Sequence, residues 1–378
     1  MKKKSILILS YSNLNSDPRV KRQVLALKDS FHITIIAYTP LEDDEIIFYP
    51  IYTLPCFSLP RKLKRFFQLI TRKFDLFYWD DYKKKLKENL EKEKFDVIIA
   101  NDIYTLPLAL AIANNDTKVY FDAHEYHPKE WEDNWKWYLL NKKYIEFLCK
   151  TYIPMASAFS SVCESIATEY EKFSGIKPFV ITNASNYHDL HPSEIDENKI
   201  RIIHHGAAIP SRKIETMIEV IKHLDKKFSL DLMLTGDISY INHLKNLSSN
   251  FSQINFIRPV PQEQICKKLN QYDVGLYILQ PSNFNNLYAL PNKIFEFVQA
   301  RLCITVSPNP EMAQLVQKYN LGIVSEDFSP EAMANEIKKL TKEKIFYYKQ
   351  QSHFNAKDLS AEKSIHAIRE IVNKLISE

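Results

Sequence analysis

Short apolar runs alternate with stretches of helical periodicity from one end of the chain to the other. Residues 5–10, Ser-Ile-Leu-Ile-Leu-Ser, are an almost unbroken apolar run, the pattern of a strand covered on both faces. Ser16-Asp17-Pro18 then supplies a helix cap and a proline at the first helical position, and Val20, Val24, Leu25 and Leu27 continue the apolar side of that helix. Further apolar runs at 32–37, 96–100, 118–121, 159–162 and 179–182 read as strands. Most are far enough apart for a crossover helix, so the sheet they form should be largely parallel. Residues 183–200 turn polar and mark a linker. A second series follows, with strands at 200–204, 230–234, 254–257, 274–278, 303–306 and 322–324 and helices at 261–269, 292–300, 310–319 and 330–340. The expectation is an α/β chain of two doubly wound, Rossmann-like domains. They span 1–183 and 200–345, joined by a linker at 184–199, with C-terminal helices at 346–378 packing back on the first domain.

The length of 378 residues agrees with two domains, because single cores rarely grow past about 250–300 residues. Five glycines stand against eighteen prolines. That shortage excludes a G-x-G-x-x-G dinucleotide turn and a Walker A loop, so any phosphate site must rest on other groups. The net charge of +4 is too small to imply nucleic acid as a partner. Basic residues precede the first apolar run, but that run is too short for a secretory leader, and no run reaches the eighteen or so apolar residues of a membrane span. Cys56, Cys149, Cys163, Cys266 and Cys303 are widely separated with no C-x-x-C pair. They read as small buried hydrophobes in a reducing compartment, which places the protein in the cytoplasm.

One segment departs from the pattern. Residues 60–74 carry six cations and no acid, interleaved with Leu63, Phe66, Phe67, Leu69, Ile70 and Phe74. Such a helix either lies on an anionic membrane surface, through the cations between Arg61 and Lys73, or packs its apolar side on the sheet and leaves its lysines in water. Trp131, Trp135, Trp137 and Tyr138 suit an interfacial patch or a core equally well.

Ligands of open α/β sheets bind outside the carboxyl ends of the strands. In the second series, His205-Gly206-Ala207 follows a strand, and Arg212-Lys213 opens the next helix. Cations beside a helix N-terminus make an anion site. Further on, Leu290-Pro291-Asn292-Lys293 starts a helix that carries Glu296 in its first two turns. Its N–H groups could face a diphosphate while Glu296 accepts from ribose hydroxyls; the alternative is a well-capped core helix with an early acid.

On these residues the chain resembles the family-four glycosyltransferases of the GT-B fold. The stretch 290–300, followed by Ile304-Thr-Val-Ser307 and Pro310-Glu311-Met312, is similar to their donor-site signature. Ser16-Asp-Pro-Arg-Val20 is similar to the opening of their first helix, Phe121-Asp-Ala-His-Glu125 to their D-x-H-E segment, and Asn183-Ala-Ser to the end of their N-terminal domain. The resemblance implies two domains facing across a cleft and transfer of a sugar from a nucleoside diphosphate sugar to a glycan or lipid-linked acceptor. It implies retention of configuration and a place in surface-polysaccharide assembly, such as lipopolysaccharide or capsule, at the inner face of the cell membrane. It also implies that Lys213 and Arg212 bind the diphosphate, with Asn292 and Lys293 along the phosphates and Glu296 on the ribose. Gly206, Gly236, Tyr288, Leu290 and Pro291 complete the donor side. His124 would meet the donor sugar near the reacting carbon, unless it is a structural histidine paired with Asp122 or Glu125. Asp17, Arg19, Asp102 and Glu125 fall on the acceptor side, with Asp17 open to a plain capping role.

Three positions depart from the family pattern: Tyr288 replaces an earlier glutamate, Ala207 an arginine, and Arg301 a glycine. No D-x-D carboxylate pair stands in a metal-binding context, so the expected reaction needs no metal and no cofactor beyond the sugar nucleotide. Two other functions keep the same ligand: a sugar-nucleotide epimerase, and a non-catalytic sugar-nucleotide-binding scaffold.

Overall fold

The structure is a computed structural model that describes residues 3–51 and 58–378. The chain divides into two compact units. The first comprises Met1–Thr182, Asn283–Asn285 and Ser364–Glu378; the second comprises Asn183–Ser282 and Asn286–Lys363.

The first unit is built on seven parallel strands: β1 (Ser5–Leu9), β2 (His32–Ala37), β3 (Ile47–Pro50), β4 (Val97–Asn101), β5 (Lys118–Asp122), β6 (Ala158–Ser161) and β7 (Phe179–Val180). They lie in the order β3-β2-β1-β4-β5-β6-β7, so the winding reverses beside β1. The run that marked β1 is central for the reason it is apolar: Ile6, Leu7, Ile8 and Leu9 are fully buried, with side chains on both faces. Asp17 caps the helix Pro18–Leu27, accepting from the N–H groups of Arg19 and Val20 at 3.1 Å each. That helix brings Val20 and Val24 onto the sheet, and Ile368, Ile371, Val372 and Leu375 of the C-terminal helix join the same core.

The second unit has six parallel strands: β8 (Ile200–Ala208), β9 (Phe228–Gly236), β10 (Ile254–Phe256), β11 (Val274–Tyr277), β12 (Cys303–Val306) and β13 (Gly322–Val324). Their order is β10-β9-β8-β11-β12-β13. The α/β expectation of two doubly wound sheets therefore holds.

Several details differ from the sequence reading. β3 escaped it because Ile47–Pro50 is a half-exposed edge strand ending in proline, without a buried apolar run. The expected helix at 261–269 is a 3-10 turn, Gln262–Gln264, followed by a short helix, Ile265–Leu269. Residues 184–199 lie in the second unit, as does the helix Lys342–Asn355; of the C-terminal helices only 364–378 joins the first. Lys349 explains that placement, because its buried ammonium donates to Ser193 Oγ at 2.8 Å and to the Tyr272 carbonyl at 3.0 Å.

Arg301, where the family pattern has glycine, has φ 60° and so keeps the left-handed conformation of a helix end. Its buried guanidinium donates to the carbonyls of His188, Leu190, Val298 and Gln299, which ties residues 188–190 to that end. Cys149, Cys163, Cys266 and Cys303 are buried thiols outside any disulfide; Cys56 lies outside the described residues.

At Gly322 a Cβ would stand 1.8 Å from the carbonyl oxygen of Ile304, an atom of the neighbouring strand's backbone. Gly322→Ala should therefore force β12 and β13 apart and destabilise the protein by about 2–3 kcal/mol, read as a lower midpoint in urea unfolding. An unchanged midpoint would contradict this packing.

Candidate functional site

Each sheet carries a polar cluster at the carboxyl ends of its strands. In the second unit the cluster gathers around Gly206, near the end of β8. Gly206 has φ 124°, a conformation that side chains disfavour, and a Cβ placed there would stand 3.4 Å from Lys293 Nζ. Lys293 is the second residue of the helix Asn292–Gln299 and is buried, with its Nζ 3.9 Å from the centre of the Tyr277 ring. That amino group has no hydrogen-bond partner. Burial first, and then the Arg212 guanidinium nearby, hold its pKa well below the ordinary lysine value; Glu296 acts in the opposite sense.

The histidines beside it are neutral. Burial and then Lys293 push His205 down to about 3, and His204 is held well below its usual value for the same reasons in the same order. His204 Nδ1 lies 3.1 Å from the Leu276 carbonyl, which fixes the Nδ1–H tautomer, and its ring stacks on Tyr277 at 5.7 Å. His205 Nε2 is 3.3 Å from Glu296 Oε2, yet the contact lacks hydrogen-bond geometry, and a neutral imidazole offers the carboxylate no charge. The cluster thus holds a buried lysine amino group and a guanidinium beside one carboxylate. Such an arrangement is suited to an anion.

The two cations that the sequence paired have different surroundings. Arg212 ends the turn Pro210–Arg212, is half-buried, and acts electrostatically on Lys293, His204 and Tyr277. Lys213 is exposed and has φ 46° and ψ 59°, a left-handed position better suited to glycine. Gly236, with φ 101°, closes β9 opposite Ala208. Leu290 is buried, Tyr288, Pro291 and Asn292 are half-buried, and Pro291 is the extended residue that starts the helix, with φ −79° and ψ 155°.

The first unit's cluster is built on Asp122, at the end of β5. Register sets it beside Asn101 of β4 and Ser160 of β6. Its carboxylate accepts from Arg19 Nη2, from Arg19 Nε at 2.7 Å, from Gln23 Nε2 at 2.7 Å and from Ser160 Oγ at 2.5 Å, which fills its four lone-pair directions. Burial, the largest single effect, would raise its pKa, but the charge and hydrogen bonds of Arg19 together with His124 and Ser160 outweigh it and keep the carboxyl below its usual range. Arg19 is consequently a buried structural cation, also donating to the Ile181 carbonyl at 2.8 Å, and Asp17 is engaged as a helix cap. Both side chains are engaged within the fold.

Asp102 and His124 do come together. Asp102 follows β4 with φ 66°, a left-handed conformation uncommon outside glycine. Its Oδ1 accepts from the His124 backbone N–H at 3.1 Å, and its Oδ2 lies 3.5 Å from His124 Nδ1. His124 Nε2 is 3.2 Å from Asn101 Oδ1 and 3.8 Å from Asp122 Oδ2. Glu125 is exposed, and its carbonyl accepts from Tyr170.

His127 went unnoticed in the sequence, although the H-x-x-H-x-x-E spacing from His124 through His127 to Glu130 was there to be read. Its buried ring lies between Asp102 Oδ1 and Glu130 Oε2, at 3.1 Å each. Burial would lower its pKa, but the hydrogen bonds to Asp102 and Glu130 prevail and raise it to about 10. As an imidazolium it cannot accept from the Ile103 N–H, which stands 3.3 Å from Nε2. Asp102 is held well below the carboxylate range because His124 and His127 outweigh its desolvation. Among the described residues, no group of three or more His, Cys, Asp or Glu side chains could hold a metal ion.

These shifts set a pH window. The raised His127 pKa contributes stability that is fully present below its unfolded value of about 6.5 and is lost as the pH rises through about 10. The lowered Asp102 pKa contributes above its unfolded value of about 4 and is lost in acid. The protein should lose stability between about pH 6.5 and 9 in urea titrations, and His127→Gln should flatten that slope. Equal slopes in the two proteins would contradict a protonated His127.

No family model matches the chain, and no curated protein matches it at the sequence level. Solved structures do share its fold. Sucrose-phosphate synthase from Thermosynechococcus elongatus is 13% identical with a TM-score of 0.74, the alignment covering 99% of each chain. Anabaena HepE, solved in complex with UDP and glucose, is 13% identical with a TM-score of 0.71 and the same coverage. A glycosyltransferase from Rickettsia africae is 14% identical with a TM-score of 0.70, covering 100% of this chain and 99% of the other. At such identities the likeness is one of fold: the chain has, along essentially its whole length, the GT-B α/β architecture of solved glycosyltransferases.

Proposed function

We propose that the chain is a glycosyltransferase that moves a sugar from a nucleoside diphosphate sugar to a glycan or lipid-linked acceptor in surface-polysaccharide synthesis. The observation that carries this reading is Lys293, a buried amino group without a hydrogen-bond partner, set against Gly206 and near Arg212. A diphosphate would accept from that group and favour its protonated form. The shared fold with HepE, solved with UDP and glucose, supports a sugar nucleotide as its source.

In this reading Arg212, Lys293 and the start of the helix Asn292–Gln299 bind the diphosphate, and Glu296 accepts from the ribose hydroxyls. As the anomeric C–O bond breaks, its electron pair passes to the departing diphosphate. Preorganised positive charge lowers the barrier by meeting that developing charge. The acceptor oxygen bonds to the anomeric carbon on the face the diphosphate leaves, which retains configuration, and the acceptor's proton passes to the departing phosphate oxygen. The positive groups supply the charge stabilisation without a metal. Asp102 and His124 are assigned to the sugar and acceptor side, and Arg19 and Asp122 hold the strand ends beneath them. The resemblance to family four favours the retaining, polysaccharide-directed version, working in the cytoplasm at the face of the cell membrane.

A thermal-shift panel of UDP, GDP, ADP, CMP and their common sugars identifies the donor. With the nucleotide that shifts most, Lys293→Met and Arg212→Gln should each weaken binding at least about tenfold, since a charge-assisted hydrogen bond contributes about 1.5–3 kcal/mol. Glu296→Ala should abolish transfer in a folded protein, whereas Lys213→Gly should leave binding within about threefold, a change under 1 kcal/mol. Unchanged affinity and turnover in Lys293→Met would refute the donor site. An isomerised sugar nucleotide without any transfer would indicate an epimerase, and binding without chemistry a scaffold.

A further inference from the structure

The helix Leu59–Ile70 leaves its apolar side uncovered. Leu59, Leu63, Phe66, Phe67 and Ile70 recur at the spacing of one helix face, and each is between 45% and 70% exposed. Leu69 is the one side chain of this helix that is buried. A second exposed apolar face belongs to the helix Trp135–Leu140, where Trp135, Tyr138 and Leu139 are between 51% and 71% exposed. A groove of about 610 Å³ joins the two, with Phe66 and Ile70 on one side and Tyr138 and Leu139 on the other. Arg72, Lys142 and Lys143 also line it, against a single acid, Glu146.

We propose that these two helices form one face that lies on an anionic phospholipid bilayer, with a lipid chain entering the groove between them and lipid phosphates meeting the surrounding cations. The charge pattern selects this occupant. Arg61, Lys62, Lys64, Arg65, Arg72 and Lys73 are unrelieved by any acid within 60–74, and the surrounding charge is modest: Arg61 stands 4.0 Å from the exposed Asp81. A second copy docking through the same face would set this cluster against itself, which repulsion opposes. Protein interfaces are depleted in lysine, whereas an anionic lipid surface attracts such cations individually. Lysines over the rings of Trp135 and Tyr138, at 5.7 and 4.2 Å, keep these aromatics in the mixed apolar and charged setting of a membrane interface. Arg65 over Phe77, at 4.3 Å, anchors the first helix to the fold without covering its apolar stripe.

The proposal gives the protein a partner without resting on sugar transfer, because vesicle binding is read with no donor or acceptor present. The test uses the full chain, sedimented with vesicles of phosphatidylcholine alone and of phosphatidylcholine mixed with phosphatidylglycerol. Binding should be at least about tenfold stronger to the anionic vesicles and should weaken with salt. Leu63→Glu with Phe67→Glu, and separately Arg61→Gln with Lys62→Gln and Lys64→Gln, should each lose at least about tenfold in affinity. Their melting temperatures should be unchanged, since all five side chains are exposed. Leu139→Arg separates insertion from simple adsorption: it adds a cation but obstructs the groove, so insertion predicts weaker binding and adsorption stronger. Stronger binding by Leu139→Arg, wild-type binding by the Leu63 and Phe67 variant, or equal binding to both vesicle types would overturn the proposal.

Discussion

An ionised side chain inside a protein is tolerated only where charges and hydrogen bonds replace the water it has lost. Nearly every buried cation of this chain meets that condition within the fold. Arg19 lies against Asp122, Arg301 donates to four carbonyls, and Lys349 is held by Ser193 and the Tyr272 carbonyl with Asp273 at 3.6 Å. Among the described residues Lys293 is the exception, a buried amino group with no hydrogen-bond partner and a pKa that burial pushes well down. The contrast separates charge that secures the architecture from a basic group left without a partner.

Parallel sheets make that separation possible, because register brings the ends of neighbouring strands together and sets distant parts of the sequence side by side. In the first unit, β4, β5 and β6 align Asn101, Asp122 and Ser160. A polar network closed by Arg19 and Gln23 then saturates the carboxylate. Above it, the left-handed Asp102 receives His124 and His127. In the second unit the corresponding region is unsaturated: Lys293, beside Arg212, two neutral histidines and Glu296, has no hydrogen-bond partner. A saturated cluster positions side chains, whereas an unsaturated one selects a charged ligand.

The sheets were legible in the sequence because their strands are buried on both faces, so that apolar runs such as 5–10 and 303–306 announce them directly. β3 was not, since a half-exposed edge strand lacks that signature. Motif spacing singled out Gly206, Arg212, Lys293 and Glu296, which the fold brings into one cluster, and also Lys213, which takes a left-handed position and is exposed. Arg19 and Asp122 are 103 residues apart, so their pairing needed the fold. The basic helix shows the opposite limit. Its apolar stripe was visible as a pattern, but whether the stripe was covered depended on elements far from it in sequence.

The most direct test of the account is whether Lys293 takes up charge when its ligand arrives. With its pKa held well below the ordinary lysine value, the Lys293 amine should gain a proton as a diphosphate binds and raises that pKa. Calorimetric titration of the best-binding nucleotide, repeated at neutral pH in buffers of different ionisation enthalpy, reads that uptake. The account predicts a buffer-dependent enthalpy equivalent to a net uptake of up to about one proton per site, abolished by Lys293→Met. An enthalpy independent of buffer, or a dependence that survives Lys293→Met, would contradict it.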